Sequence, residues 1–475
     1  MQGSGVQVIS RRVVRAESPS GSEEIHLTPW DLRMLTLEYI QHGILLPKPN
    51  RDPGFVVVDH LAAAFSRALG RFYPLAGRLV VGERGAGGDT ATVSLRCTGE
   101  GAEFVHAAAP GVTAADIAAW PPRDVPREPV SSLFPLNGLL CVDAAAGPRR
   151  APPLLAAQVT ELADAVFVAV ALNHAVGDGT AFWHFVNTWS DLARGGGNGG
   201  AARERPPPPP VLQRWFLDNY PVPVPLQLAK VEHAVARRRG QPLPLQECSF
   251  HIPAESVKNL KARANAEAAH SGETTATATV SSLQALLAHL WRAVCRARRL
   301  QPSHKTTCLQ LVGCRGRVKG VPVTGYVGNA VAPCRVAATA GEVLEKGLGW
   351  ASWLLTRAVA SFDEEALVRE LERWAREQTL APTAGAEPST VAAVIAGNSP
   401  RFDVYGNDFG WGEPVAVRSG PGNKADGKCA VYEGRGGSGG GIYLEVCLAP
   451  DAMARLVADE EFMDAVTAAG ADSLT

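Results

Sequence analysis

His174 stands where an imidazole can act as a base. An apolar run at residues 166–172 precedes it, and Asp178, Gly179 and apolar residues at helical spacing follow it. This pattern predicts a buried strand before His174 and a helix after it, a junction where functional sites of α/β proteins often lie. A neutral imidazole there can accept a proton from an alcohol or an amine. The spacing of His174 and Asp178 is common by chance, so other parts of the chain must support this interpretation.

Asp178 is open to two interpretations. A carboxylate four residues after a histidine suggests a catalytic triad, in which the carboxylate orients the imidazole. The same position opens the predicted helix, where an aspartate side chain accepts hydrogen bonds from free backbone N–H groups. The helix cap is the simpler local explanation, and we favour it over the triad.

The balance of charges limits the class of partner. The 475 residues include 46 Lys and Arg against 47 Asp and Glu, which gives a net charge of -1. We therefore expect neither a nucleic acid nor a membrane surface as a partner. The longest apolar runs are shorter than the roughly 18 residues that span a bilayer. The first 24 residues contain three glutamates and one short apolar stretch, which predicts a cytoplasmic protein without a targeting peptide.

Nine cysteines are scattered along the chain without a C-x-x-C pair. This spacing fits neither a disulfide framework nor a zinc site, and we expect no metal. The simplest interpretation is that the cysteines are small buried apolar residues in a reducing compartment.

The length predicts two domains, because a domain has about 100–200 residues. The boundary is placed at residues 195–225, where a glycine-rich segment leads to five consecutive prolines at 206–210. Such a run is extended and is expected to stay outside a packed core. The predicted domains are residues 1–194 and 226–475, joined by this crossover linker.

The pattern of apolar residues predicts several elements of these domains. Strands at 154–160 and 166–172 should form a hairpin, and helices are expected at 61–72, 257–268 and 365–378. Ser281 and Gln284 resemble a capping box at the start of a further apolar helix.

Three blocks of sequence resemble the plant BAHD acyltransferases, in the order in which that family carries them. Residues 174–179 (HAVGDG) are similar to the family's H-x-x-x-D-G, and residues 408–412 (DFGWG) resemble its second signature letter for letter. Residues 73–78 (YPLAGR) are similar to its N-terminal block. A five-residue match that contains Trp, Phe and Asp is much rarer by chance than the histidine motif.

The resemblance implies a fold and an activity. The fold would be α/β, with two domains like those of chloramphenicol acetyltransferase, mixed β-sheets and a channel at the domain interface. The activity would be transfer of an acyl group from acyl-CoA to the hydroxyl or amine of a small molecule, in plant specialised or surface-lipid metabolism. Acyl-CoA would be a cosubstrate rather than a bound cofactor, and we expect a monomer.

The resemblance also implies roles for residues. His174 would be the general base in the middle of the channel. Asp178 would pair with Arg315 and point away from the channel, although the family usually has Asp or Asn where Gly313 stands. Residues 325–329 resemble a further block, expected to form a turn near the channel. Structural roles are implied for Asp178, Arg315, Asp408, Gly410 and Gly412.

Several residues are candidates for contact with the substrates, and each has an alternative structural role. Trp411 either donates its indole N–H to the oxyanion or belongs to a rigid turn. Ser281 and Ser282 either lie beside the donor or cap a helix. The candidates for the coenzyme A phosphates are Arg418 and Lys424, which otherwise lie in an exposed loop. The candidates for the acceptor pocket are Thr36 and Tyr39, which otherwise pack on the core.

Two rival functions remain. One is a lyase on the same scaffold that cleaves a bound adduct without coenzyme A. The other is a binding protein that has the same fold but no catalytic activity. The presence of His174 disfavours this second alternative. The donor, the acceptor and the choice between O- and N-acylation are not determined by these residues. Where family members often carry Thr-Ser-Trp, this chain has Asn398, Ser399 and Pro400 after Gly397, so any contact of that Thr must differ here.

Overall fold

The structure is a computed structural model. It describes residues 5–17, 23–50, 56–85, 87–118, 131–145, 151–195, 206–218, 220–239, 244–270, 279–380, 392–397, 401–436 and 439–466. The strands are β1 (Gln7–Val14), β2 (Glu23–His26), β3 (Ile40–Pro47), β4 (Arg78–Arg84), β5 (Thr90–Cys97), β6 (Ala102–Ala109), β7 (Leu155–Leu162), β8 (Ala165–Leu172), β9 (Leu226–Gln227), β10 (Gln246–Ile252), β11 (Lys305–Gly313), β12 (Val331–Thr339), β13 (Ala392–Gly397), β14 (Ala416–Ser419), β15 (Lys428–Glu433) and β16 (Ile442–Leu448).

The helices are α1 (Pro29–Leu32), α2 (Val57–Arg71), α3 (Ala114–Ala118), α4 (Gly179–Gly195), α5 (Leu228–Arg238), α6 (Ala254–His270), α7 (Ser282–Ala297), α8 (Ala340–Glu345), α9 (Gly347–Ala360), α10 (Glu364–Glu377), α11 (Pro450–Val457) and α12 (Glu460–Met463). Two 3-10 segments lie at Tyr73–Ala76 and Cys141–Ala145. Among the described residues, no helix is both long and apolar enough to span a membrane.

The first large sheet positions His174. Its strand order is β1-β6-β7-β8-β3-β14, and β6 and β7 form its parallel pair. All residues of β8 are buried because the strand has a partner on each edge and packed side chains on each face. The predicted hairpin of β7 and β8 is confirmed. On one face, α2 and α4 pack together, and Phe65 meets Trp189 edge-on with ring centroids 5.0 Å apart.

The second large sheet forms the other half of the molecule. Its order is β10-β16-β15-β13-β11-β12, in which β13 runs parallel to both neighbours and the remaining pairs are antiparallel. The predicted apolar helix is α7, and its buried side chains pack against this sheet and against α6 and α9. A smaller sheet, β2-β5-β4 with β9, lies beside the first half.

Two strands cross between the predicted domains. β14 comes from the C-terminal half but pairs with β3 in the first sheet, Ala416 opposite Leu45. β9 lies just after the predicted linker and pairs with β5, Leu226 opposite Ala91. The boundaries at 194 and 226 remain a prediction, and the exchange of β14 across them was not foreseen.

The segment after the five prolines packs more closely than expected. Val211 donates to the Gly325 carbonyl at 2.8 Å and accepts from the Val327 N–H at 2.9 Å. Trp215 stacks on Trp30 with a centroid distance of 5.2 Å. The expectation of a segment outside a packed core was made for the five prolines, and the rest of the predicted linker packs against the protein from Val211 onward. The prolines lack an N–H, whereas the residues after them can pair with a neighbouring strand.

Close packing of β3 and β8 gives a test of the fold. Gly43 lies on β3 opposite Ala169, and a Cβ at that position would overlap the Phe167 ring. We expect Gly43→Ala to lower the free energy of unfolding by about 1–3 kcal/mol in urea denaturation, because the well-packed ring must move.

The control is Gly70→Ala in α2, where the new Cβ has no neighbour within 4 Å. This substitution should stabilise the protein by up to about 1 kcal/mol through helix propensity. Wild-type stability of the Gly43→Ala protein would contradict the packing described.

Candidate active site

A cavity of about 1990 Å³ lies between the two large sheets. Its wall includes residues of β3 and His174 from the first half and residues of α7, β11, β13 and β15 from the second. The candidates Tyr39, Ser281, Ser282 and Lys424 also lie on this wall. Among the described residues that line the cavity, Thr36, Trp411 and Arg418 are not found.

The His174 ring is held in its neutral form. Its backbone N–H donates to Sγ of Cys141 at 3.1 Å, and its carbonyl accepts from Nδ2 of Asn329 at 2.8 Å. Burial lowers the pKa of His174 below its ordinary value, although the residue's own carbonyl and Asp178 act in the opposite direction. An imidazole that is neutral near pH 7 can act as a base.

The two nitrogens of the ring have different surroundings. Nδ1 is buried and makes no hydrogen bond to a described residue. Burial of Nδ1 without a partner leaves Nε2 as the nitrogen that can exchange a proton with a ligand. Since His174 lines the cavity, Nε2 is the nitrogen available to a substrate.

Both carboxylate oxygens of Asp178 accept hydrogen bonds from other groups of the protein. Arg315 donates to its two carboxylate oxygens at 2.7 and 2.9 Å, as the family resemblance implied. Both residues lie on the cavity wall, so the implied orientation of Asp178 away from the channel is wrong. The backbone N–H groups of Ala181 and Ala330 donate at 3.1 and 3.0 Å, so the aspartate is also the cap of α4. Burial would raise the pKa of Asp178, but Arg315 and these N–H groups hold it below its ordinary value. None of the hydrogen bonds among described residues joins Asp178 to the His174 ring, so the triad is absent from this arrangement.

Several segments hold residues 173–178, which we call the histidine loop. Arg315 also donates to the carbonyls of Tyr326 and Gly328 at 3.1 and 3.0 Å. Arg214, from the segment after the prolines, donates to the Val176 carbonyl at 3.0 Å. Residues 325–329 therefore form a structural turn near the cavity, as the sequence predicted.

Asn329 links this turn to the start of the chain. Its backbone N–H and its Nδ2 both donate to Oδ1 of Asp31 at 2.9 Å. Asp31 also forms a capping box with Thr28 at α1. The carbonyl of His174 is thus fixed through Asn329 to a buried carboxylate in the first half of the molecule.

Residues 408–412 form a tight turn around one carboxylate oxygen. Oδ1 of Asp408 accepts from the N–H groups of Gly410, Trp411 and Gly412 at 2.7, 3.0 and 2.9 Å. Both glycines have positive φ angles of 106° and 134°, a conformation that disfavours other residues. The structural role expected for Asp408, Gly410 and Gly412 agrees with this geometry.

Trp411 does not have the geometry of an oxyanion donor. Its indole N–H donates to the Pro47 carbonyl at 3.1 Å, and its side chain packs beside His60 and Phe409. The donor is already in use away from the cavity wall. The oxyanion assignment is therefore wrong, and the alternative of a rigid turn describes this residue.

The two basic candidates for the coenzyme A phosphates are both engaged within the protein. Arg418 is buried in β14 and donates to the carbonyls of Ile117, Ala118 and Val417. It is not available for a phosphate, and that assignment is wrong because the exchange of β14 was not foreseen. Lys424 reaches the cavity wall but pairs with Glu247 and donates to Oγ of Ser419 at 2.6 Å.

The remaining candidates divide between the cavity and the core. Ser281 caps α7 by accepting from the Gln284 N–H at 3.4 Å, and it faces the cavity with Ser282. The Tyr39 hydroxyl donates to the Pro153 carbonyl at 3.0 Å, while part of the residue lines the cavity. Thr36 is buried away from the cavity wall, so its assignment to the acceptor pocket is wrong.

Some residues of the cavity wall were not foreseen from the sequence. Lys428 and His42 both lie there. Lys428 begins an apolar strand, where a lysine would ordinarily mark a solvent-exposed strand end. His42 lies in the middle of β3 without a motif around it. Residues 398–400, which replace the family's Thr-Ser-Trp, lie outside the described residues.

The model of the Transferase family matches residues 4–463 of this chain. A relative named BAHD acyltransferase DCR, from Arabidopsis thaliana, is 30% identical over 468 residues, which cover 96% of this chain and 92% of that protein. The chain belongs to the BAHD acyltransferase family. An uncharacterized acetyltransferase of the same plant is 34% identical over 461 residues, covering 97% and 99% of the two chains.

Solved structures support the fold of this BAHD acyltransferase. TRI101 of F. sporotrichioides, in complex with coenzyme A and T-2, has a TM-score of 0.70 at 20% identity and covers 94% of this chain and 100% of its own. Vinorine synthase gives a TM-score of 0.64 at 19% identity, with coverage of 97% and 98%. The two-domain fold of the chloramphenicol acetyltransferase type, with mixed sheets, is thereby confirmed. The protein is an acyl-CoA-dependent O- or N-acyltransferase of this family.

The different surroundings of His174 and Asp178 lead to different effects of substitution. We expect His174→Ala to remove turnover while the free energy of unfolding stays near that of the wild type. Asp178→Asn should lower that free energy by about 3–5 kcal/mol, because it leaves the buried Arg315 without its counter-charge. Urea denaturation and an assay of thiol release from acyl-CoA measure the two effects. A stable Asp178→Asn protein that is as inactive as His174→Ala would contradict the structural role of Asp178.

Proposed function

We propose that this protein transfers the acyl group of acyl-CoA to a hydroxyl or amine of a small molecule in the cavity, with His174 as general base and no covalent intermediate. The observation that supports this most is a neutral imidazole on the wall of a cavity that both halves of the chain enclose. The cavity volume of about 1990 Å³ exceeds the ~300–1,000 Å³ of a typical site for a single ligand. It therefore suits a donor and an acceptor together.

The reaction needs one base and no nucleophilic side chain. Nε2 of His174 takes the proton of the acceptor as its oxygen or nitrogen attacks the thioester carbonyl. The tetrahedral intermediate then collapses, the C–S bond breaks, and the imidazolium returns the proton to the departing thiolate. A base in this position contributes about 10²–10⁴ in rate.

A covalent route through the nearby cysteine is disfavoured. Cys141 lies beside the backbone of His174, and burial raises the pKa of its thiol to about 12. A thiol with such a pKa is protonated at neutral pH and is a poor nucleophile.

The donor side of the cavity is proposed to include the start of α7. Ser281 and Ser282 lie there on the cavity wall, and the N-terminus of a helix favours an anionic group such as phosphate. Tyr39 is proposed to contribute to the acceptor side. A cytoplasmic location, a monomeric state and a place in plant specialised or surface-lipid metabolism stay predictions.

The proposal is tested by thiol release from a panel of acyl-CoA donors and acceptors. The donors are acetyl-CoA, malonyl-CoA, butyryl-CoA and 4-coumaroyl-CoA, and the acceptors include an aliphatic alcohol, a phenol, a hydroxy acid and a diamine. We expect thiol release that depends on an acceptor and is lost in His174→Ala. Retained ligand binding without thiol release from any pair would instead favour a lyase or a binding protein.

The pKa of His174 predicts the pH dependence of the reaction. Because this pKa lies below the ordinary value of 6.5, the base is neutral at pH 7 and becomes protonated only in more acidic solution. We expect kcat/KM for an alcohol acceptor to be constant between pH 7.5 and 8 and to fall in more acidic solution with a midpoint below 6.5. An alcohol is used because an amine acceptor titrates itself. A midpoint above 7 would contradict the neutral state of His174.

A further inference from the structure

Lys428 is a lysine on the cavity wall at the beginning of β15. It lies opposite Ile395 of β13, and Ala430 lies opposite Gly397. A Cβ placed on Gly397 would lie 3.1 Å from Nζ of Lys428, so the ammonium group extends across the strand with no side chain beneath it. The glycine makes room for this orientation.

The three central strands of the sheet present a mainly apolar face around Lys428. Side chains that alternate along a strand share one face of the sheet, and the register places Leu309 and Ile395 in line with Lys428. The residues of β11, β13 and β15 on this face that line the cavity are Leu309, Leu311, Ile395, Gly397, Lys428 and Ala430. Lys428 is the charged residue in that set, and Arg335 of β12 and Glu445 of β16 lie on the same face at the outer strands.

The ammonium group of Lys428 makes no hydrogen bond or ion pair with any residue that the structure describes, whereas its backbone N–H donates to the Ala425 carbonyl at 3.0 Å. The carboxylates of the neighbouring strands have other partners. Glu247 pairs with Lys424, and Glu445 accepts from Ser419.

Two nearby cations act on Lys428, and the thiols of Cys447 and Cys429 act on it in the opposite direction. Burial lowers the pKa of its ammonium group, and the nearby Lys424 and Arg238 lower it further. An ammonium group in apolar surroundings is costly unless an anion accompanies it. Among the described residues, no carboxylate therefore pairs with the ammonium group of Lys428.

We infer that Lys428 binds a carboxylate group carried by one of the two substrates. That the ligand is a substrate rests on the proposed function, because Lys428 and His174 lie on the same cavity. The charge of Lys428 also lowers the pKa of the His174 ring, so the two side chains lie within electrostatic range of each other. Lys428 is a specificity-determining residue, and it takes no part in proton transfer.

A carboxylate can reach Lys428 from either substrate. In one case the acyl group carries it, as in a dicarboxylic acid bound to coenzyme A. In the other case the acceptor is a hydroxy acid or an amino acid. Both satisfy the same chemistry, and matched pairs of compounds distinguish them.

The experiment compares the wild type with Lys428→Met and Lys428→Arg. Lys305→Met is the matched control, because Lys305 is an exposed lysine of the same sheet outside the cavity. Malonyl-CoA is paired with butyryl-CoA as donors, and shikimate with its methyl ester as acceptors. The readouts are kcat and KM from thiol release, and the ligand-induced shift in Tm, which needs no turnover.

We expect the wild type to prefer one carboxylate over its neutral partner by about 10–100-fold in kcat/KM, the effect of a charged hydrogen bond. Lys428→Met should remove this preference through KM and leave the neutral compound within about threefold. Lys428→Arg and Lys305→Met should keep the preference. Without ligand, Lys428→Met should have a Tm equal to or above that of the wild type, since an apolar side chain replaces an unpaired charge.

Three results would overturn the inference. The first is that no carboxylate in the panel binds or reacts better than its neutral partner. The second is an equal loss with charged and neutral compounds in Lys428→Met, and the third is a Tm of that variant well below the wild type. If no donor and acceptor pair releases thiol but the carboxylate still shifts Tm through Lys428, the proposed function fails and the carboxylate site stands. If thiol is released without any preference for a carboxylate, the proposed function stands and the carboxylate site fails.

Discussion

The buried ion pair of Asp178 and Arg315 is the interaction on which the site depends. It joins the start of α4 in the first half to the chain just after β11 in the second half. Removing two charges from water is costly, and a buried pair is tolerated when its hydrogen bonds are satisfied. Here both carboxylate oxygens receive donors, and Arg315 also binds two carbonyls of the adjoining turn. The pair therefore fixes the geometry of the histidine loop more than it adds stability.

This constraint explains why His174 and Asp178 have separate functions. The carboxylate satisfies Arg315 and the first turn of α4, so it is not available to the imidazole. The imidazole is kept neutral by burial instead. The same loop is fixed from a second direction by Asn329 and from a third by Arg214. His174 is thus positioned by backbone contacts and can use Nε2 for the substrate.

The two large sheets are also held together by a strand of the second half, β14, that joins the first sheet. β14 leaves the second half to pair with β3, and its Ser419 meets Glu445 of β16. The cavity lies beside this crossing, so its walls are set by strands that cannot separate independently. A large cavity between two rigid sheets suits a reaction that needs two substrates at fixed distances.

Local patterns in the sequence were sufficient for much of the fold. The apolar run of β8 and the capping residue Ser281 follow from the preferences of nearby residues, whereas the structural role of Asp408 followed from the family resemblance. The pairing of Asp178 with Arg315 followed from the family resemblance. Contacts between distant segments were not predictable in this way. The sites of Trp411 and Arg418 depend on where residues 408–419 cross to the first sheet, and no local signal marks that crossing. The position of Lys428 on the cavity wall was not predicted, because the sequence around a lysine at a strand end is the same whether the side chain faces water or a cavity.

A double-mutant cycle between Asp178 and Arg315 tests the central claim most directly. The free energy of unfolding is measured by urea denaturation for Asp178→Leu, Arg315→Met and the double variant. We expect each single variant to lose about 3–5 kcal/mol, since each leaves one buried charge unpaired, and the double variant to lose much less than the sum. Losses that simply add would contradict a direct interaction between the two side chains and, with it, the positioning of the histidine loop by this pair.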